Sequence, residues 1–162
     1  MNMQAQDLWS LVREIPVCML TTRDGDVLRS RPMATKLDEN RHEFLFLTKA
    51  SSHKTQEIGD RNSVNLSFAD PEKDLFVSVS GEGRLDENPE IARQIWNPYG
   101  QAYFPEGPDS HDVAVLHVVP RQAEYWVGGK PQQVEMAELQ KAISTGTEPD
   151  LGENEKIQFD RS

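Results

Sequence analysis

Two short stretches carry residue types from which an anion site can be built. In "RSRPMATK" (29–36), strand alternation places Arg29, Arg31, Met33 and Thr35 on one face, while Lys36 falls at the strand end. Pro32 cannot donate a ladder hydrogen bond, which predicts an edge strand or a bulge and leaves neighbouring backbone groups open to a ligand. In "TKASSHK" (48–54), an apolar strand runs into the predicted start of a helix. Unpaired amides and the helix dipole favour an anion there, and the Ser52 hydroxyl, His53 and Lys54 add donors. Together the two stretches predict a single phosphate site. The alternative is an ordinary capped helix with solvated side chains, and the spacing alone leaves both open.

The charge distribution sharpens the contrast. The chain of 162 residues has a formal charge of −10, yet residues 29–54 carry six basic and three acidic side chains. That segment is +3 and the remainder −13. A positive island in an acidic protein suits a small anion better than a polymer, because the long-range field repels nucleic acid and anionic membranes. No apolar run approaches the roughly 18 residues needed to span a bilayer. The segment "MNMQAQDLWSLVREIP" lacks the basic and apolar regions of a signal peptide. With Cys18 as the single cysteine, no intramolecular disulfide is possible. The expectation is a cytoplasmic protein that binds neither nucleic acid nor membrane.

Other chemistries find no support in the sequence. There is no Gly-x-Gly-x-x-Gly, no Walker loop and no Gly-x-Ser-x-Gly elbow, and "SGEG" (80–83) fits a bulge or turn. The four histidines, at 42, 53, 111 and 117, lack metal-ligand spacing, so no metal site is expected. Cys18 sits in an apolar strand and is expected in the core. The match "NLS" (65–67) to a glycosylation sequon falls within a predicted strand.

The elements that must position the two stretches are mostly strands. Leu8, Leu11, Val12 and Ile15 have helical spacing within residues 5–15, and Pro16 ends that helix. Strands are predicted at 17–22 and 27–37, joined by an Asp-Gly turn, then at 44–49, 63–69, 75–85, 113–120 and 122–129. The run "FLFLTK" is apolar on both faces and predicts a central strand. A short helix is expected from Ser51 or Ser52 to Gly59, a second at 88–96 with Pro89 in its first turn, and a third at 134–143. Residues 97–112 read as a loop. Many short strands with few helices predict a mainly β fold, an antiparallel barrel of six to seven strands. The expected organisation is one domain over 1–143 and an acidic, disordered tail over 144–162.

The order Arg31 to Lys36 in "RPMATK", then Thr48, then Ser52-His53-Lys54, resembles the pyridoxamine 5′-phosphate oxidase-like split barrels that bind FMN. The likeness extends over roughly residues 8–129, through "VNLSFADPEKDLFVSVSGEGRL" to "VVPRQAEYWVGG". Within that group, "WNPYGQAYFPEG" and "AEYWVG" are most similar to the general stress protein 26 branch. The resemblance implies a homodimer with FMN at the subunit interface. By it, Arg31 and Lys54 hold the phosphate, assisted by Ser52 and His53. Met33, Ala34 and Thr35 present backbone to the isoalloxazine, Lys36 lies near its polar edge, and Thr48 lies near the ribityl phosphate. Trp126 packs on the cofactor from the partner strand. Trp96, Tyr103 and Phe104 are candidates to cover the flavin, or else to pack in an interface or core.

Two departures bear on activity. His53 stands where the oxidase has arginine, and "VGGKPQQVEM" follows Trp126 where the oxidase has its substrate-gripping Arg and His. Oxidation of vitamin B6 phosphates is therefore not expected. The resemblance implies an FMN-binding general stress type flavoprotein, with a flavin-dependent oxidoreductase among its functions and no side chain assigned as catalytic. The alternatives are a flavin-binding or flavin-sensing protein without turnover, or a binder of another anionic cofactor such as a deazaflavin or haem.

Overall fold

The computed structural model describes residues 3–51, 62–128 and 132–159. Helix α1 (Met3–Val12) precedes β1 (Val17–Asp24), β2 (Val27–Ala34), β3 (Lys36–Asp38) and β4 (Glu43–Lys49). Then come β5 (Ser63–Asp70), β6 (Leu75–Asp86), α2 (Pro89–Gln94), α3 (Pro98–Tyr103), β7 (Val113–Val127), α4 (Gln132–Thr145) and β8 (Glu153–Gln158). The sheet runs β2-β1-β5-β6-β7-β4-β3, every pair antiparallel, with β8 added to the free half of β7.

Alternation explains the core. In β1 the buried Cys18, Leu20 and Thr22 alternate with the more exposed Val17, Met19 and Thr21. In β6 the buried Leu75, Val77 and Val79 alternate with Phe76, Ser78 and Ser80. The inward residues meet Phe44, Phe46, Phe68, Leu66 and Leu116 inside the barrel, and Leu8, Trp9 and Val12 of α1 close it. Each large apolar side chain buried this way contributes about 1.5–3 kcal/mol relative to exposure. Burial also pushes the Cys18 thiol up to about 11, against a weaker downward pull from the Thr35 hydroxyl, which donates to its Sγ at 3.4 Å. This is an inert core thiol.

Several expectations change. The strand over 27–37 divides after Ala34, because the Thr35 amide turns to bond the Pro16 carbonyl at 2.9 Å. The two last predicted strands are one, β7, which absorbs an irregularity in register opposite Ser80 and Gly81. Strand β4 is not central in the sheet order; it lies between β7 and β3. It is apolar on both faces because a second cluster covers its outer side: Leu45, Val113 and Val115 packed under Ala92, Ile95 and Phe104. The short helix expected around 51–59 falls largely outside the described residues.

The acidic segment after Ser144 was expected to be disordered, yet α4 runs to Thr145 and residues 153–158 form β8. Ile157 is its fully buried anchor, set opposite Ala123 in the main core. Tyr125 donates to Glu155 at 3.2 Å, and Asn154 donates to Glu124 at 3.0 Å. Among the described residues the sheet thus has eight strands rather than six or seven. Ile157→Ala is expected to destabilise the protein by about 2–5 kcal/mol, the usual range for such a cavity. A urea-denaturation midpoint that does not move would show that β8 is undocked in solution.

Candidate functional site

The ends of β2 and β4 and one face of α3 line a cleft of about 430 Å³. One wall is Pro32, Met33 and Ala34 of β2 with Val17 of β1 beside them. The floor is Leu47, Thr48 and Lys49 of β4, and the facing wall is Asn97, Tyr99, Gly100, Tyr103 and Phe104. Strand β2 ends the sheet order and pairs only with β1 among the described strands, as Pro32 predicted. Its outer backbone edge is therefore available along this wall.

Thr48 is the floor's distinctive residue. It is 3% exposed, and its Oγ1 is buried without a hydrogen-bond partner among the described residues. A buried hydroxyl left unpaired is costly, and among the buried unpaired side-chain atoms of the described residues Thr48 Oγ1 is the one that belongs to a residue lining the cleft. Next to it, β4 ends in a clamp. Ser51 donates to Asp112 from its hydroxyl at 2.7 Å and its amide at 3.0 Å. These bonds hold the Asp112 carboxyl below the usual carboxylate range, with the Lys49 charge adding to the effect. The clamp fixes where the chain leaves β4 toward Ser52, His53 and Lys54, which lie outside the described residues.

Helix α3 falls within the segment read as a loop. Asn97 caps it by accepting from the Gly100 amide at 2.9 Å, and Pro98 occupies its first turn. That Asn-Pro pair is a helix-start signal the loop assignment overlooked. Gly100 is buried against the floor: an added Cβ would lie 2.8 Å from Leu47 Cδ1 and 3.3 Å from the Trp96 ring. Phe104 is buried with its ring 6.2 Å from that of Trp96, so Phe104 and Trp96 serve mainly to seat the cap on the second core. Tyr103, by contrast, is 70% exposed on the cleft wall.

A charged cluster beneath the cap was not legible in the sequence. His117 of β7 is fully buried, with Nδ1 2.8 Å from Glu43 Oε2 and Nε2 3.7 Å from Asp86 Oδ2. Arg84 stands 3.5 Å from Glu43. Asp86 also accepts from the Asn88 amide at 2.8 Å, and Asn88 in turn caps α2 through Glu90. The cluster therefore ties the sheet to the start of the cap. Its members come from three strands, a conjunction that local spacing does not reveal.

Of the residues singled out from the sequence, Met33, Ala34 and Thr48 meet in the cleft. Arg31 pairs with Leu20 across the β1–β2 ladder, and its guanidinium donates to the buried Thr22 at 2.5 Å. Thr35 is turned to Cys18, and Lys36 opens β3 as an exposed residue opposite Leu45. Trp126 is not among the lining residues; it stands on β7 twelve positions beyond Ala114, the residue opposite Thr48. No carboxylate, histidine or cysteine is among the described residues lining the cleft.

The chain is an antiparallel split barrel capped by short helices, with an apolar cleft beside the β2 edge. A family model described as pyridoxamine 5′-phosphate oxidase like matches residues 3–150, and the chain belongs to that family. Protein bli-3 of Neurospora crassa is 27% identical over 157 residues, spanning 90% of this chain and 75% of that relative. A candidate general stress protein 26 from a Jannaschia species superposes with a TM-score of 0.74 at 21% identity, covering 98% of this chain and all of its own. The general stress FMN/FAD binding protein of Xanthomonas citri gives a TM-score of 0.68 at 23% identity, covering 79% of this chain and 90% of its own. These structural likenesses establish the fold.

Thr48→Val keeps the shape and removes the unpaired hydroxyl. The ligand-free protein is expected to gain about 1 kcal/mol of stability, since no hydrogen bond is lost. A fall in the denaturation midpoint would show that the hydroxyl already has a protein partner.

Proposed function

We propose that this chain is an FMN-binding flavoprotein of the general stress type, working as a cytoplasmic homodimer. The observation that carries the reading is the cleft itself: the exposed edge of β2 at Met33 and Ala34, facing the unpartnered Thr48 hydroxyl across apolar walls. These residues fit a flavin. The strand edge offers backbone groups to a flat heterocycle with a polar rim, and Thr48 offers a hydroxyl to its polar chain. Lys54, with Ser52 and His53, would hold the phosphate where the chain leaves the Asp112 clamp, and Arg31 would approach from β2. The FMN/FAD binding protein among the structural relatives supports the same assignment. When bound, FMN supplies hydride and single-electron transfer; the protein binds it, orients it and limits water. With no carboxylate, histidine or cysteine among the described residues lining the cleft, a second reading is a flavin carrier or sensor without turnover.

Exposure supports the dimer. Phe76 and Trp126 are cross-strand partners, each 42% exposed on the outer face of the sheet. Val17 and Met19, each 41% exposed, carry the same apolar character to the cleft. Such a stripe suits a second copy of the chain. A two-fold arrangement would bring the partner's Trp126 to a cleft whose lining does not include the chain's own Trp126.

Purified protein should carry a flavin spectrum, or take up FMN and keep it through desalting; protein that stays colourless after FMN loading overturns the reading. Lys54→Ala should weaken FMN binding roughly 10- to 150-fold, the value of a charge-assisted contact of about 1.5–3 kcal/mol. Unchanged affinity would mean the phosphate lies elsewhere. Trp126→Ala should shift sedimentation toward monomer and lower FMN affinity by about 30-fold, a hot-spot loss of about 2 kcal/mol. A variant that stays dimeric with unaltered affinity would remove Trp126 from the interface.

A further inference from the structure

We infer that Tyr99 and Tyr103 form a platform for a second ligand, a planar, uncharged aromatic ring with a hydrogen-bonding edge. This rests on the flavin reading of the same cleft: the flavin takes the β2 wall, and the ring ligand lies between it and α3. Tyr99 and Tyr103 are 62% and 70% exposed, although both line a concave, largely apolar site. They stand four positions apart on α3, which puts both rings on one face of the helix. Exposed aromatic rings within such a cleft are the usual means of gripping a flat apolar ligand.

The platform is held firmly. A six-residue helix has little stability alone, but α3 is fixed by the Asn97 cap, by Gly100 on Leu47 and by the buried Phe104. The two tyrosines thus keep their place while their own rings remain largely uncovered.

Charge selects the ligand class. Lys49 is the one charged side chain among the described residues lining the cleft, and its field acts on Asp112. Asn97 spends its side-chain oxygen on the helix cap. A phosphate or carboxylate would therefore find no dedicated partner on the α3 wall. The tyrosine hydroxyls have no hydrogen-bond partner among the described residues, so they are placed to meet a carbonyl at a ring's rim. A neutral quinone-like or related aromatic carbonyl compound satisfies all three conditions.

The test titrates FMN-loaded protein with a neutral naphthoquinone and follows quenching of protein fluorescence, alongside the double variants Y99A/Y103A and Y99F/Y103F. The wild type should bind the naphthoquinone, and a sulfonated naphthoquinone should bind no more tightly. Y99A/Y103A, loaded to the same FMN occupancy, should bind it at least tenfold more weakly, as expected for lost stacking. Y99F/Y103F should bind a few-fold more weakly than wild type and more tightly than Y99A/Y103A, because it keeps the stacking and loses only the hydroxyls' hydrogen bonds. Both residues are exposed, so the variants should fold, which circular dichroism checks. Failure of the FMN-loaded wild type to bind naphthoquinone overturns the proposal. So does loss of FMN from Y99A/Y103A with naphthoquinone affinity unchanged, which would mean that the tyrosines cover the flavin itself. If the wild type takes up no FMN, the flavin reading falls and the two-ligand arrangement falls with it. Naphthoquinone titration of the FMN-free protein then shows whether the tyrosines grip a ring by themselves.

Discussion

Strand β7 has more hydrogen-bonding edge than one neighbour can satisfy, and the architecture is the solution to that constraint. Fifteen residues long, it pairs with β6 along nearly its whole length on one side. On the other side, β4 serves Val113–Val118 and β8 serves Gln122–Val127. Buried backbone groups cannot be left without partners, so both short strands are obligatory. Between them the sheet changes partners, and that change is what splits the barrel. The cleft lies at the β4 end because β4 finishes there, turning its last residues toward the open edge of β2.

The cap depends on the same strand. Val113 and Val115 lie under the α2–α3 segment, while the intervening Ala114 and Leu116 are also buried. Two covered faces explain why β7 reads as continuously apolar at its start and alternates only near its end. The buried His117 cluster then stitches β4, β6 and β7 together where α2 begins. A cleft wall made of a six-residue helix is credible only because everything beneath it is so tied.

Much of this was written locally. Alternation in residues 17–22, 63–69 and 75–85 marked strands correctly, and Asn88-Pro89 marked a helix start. Pro32 identified an edge. What was not legible depended on partners distant in sequence. The β8 segment is acidic and polar, with only Ile157 buried, so composition alone suggested a solvated tail. Its order comes from β7, whose edge it completes. The His117 cluster has the same character: Glu43, Arg84, Asp86 and His117 mean nothing until three strands align them. Within the cleft, Met33, Ala34 and Thr48 were visible as strand residues near a basic island. Tyr99 and Gly100 were not, because the loop assignment hid the helix that places them.

One feature of the core has a bearing on how the protein is made. Leu8 of α1 and Ile157 of β8 belong to the same buried cluster, although almost the whole chain separates them. Strand neighbours are likewise remote, with β4 waiting for β7 and β1 for β5. Contacts of such long sequence separation require much of the chain entropy to be lost before they form, so folding of this topology is slow compared with a helical domain of equal size. The barrel cannot be closed in stages from one end, and a nascent chain that has emerged only through β6 still lacks the strand on which its neighbours depend.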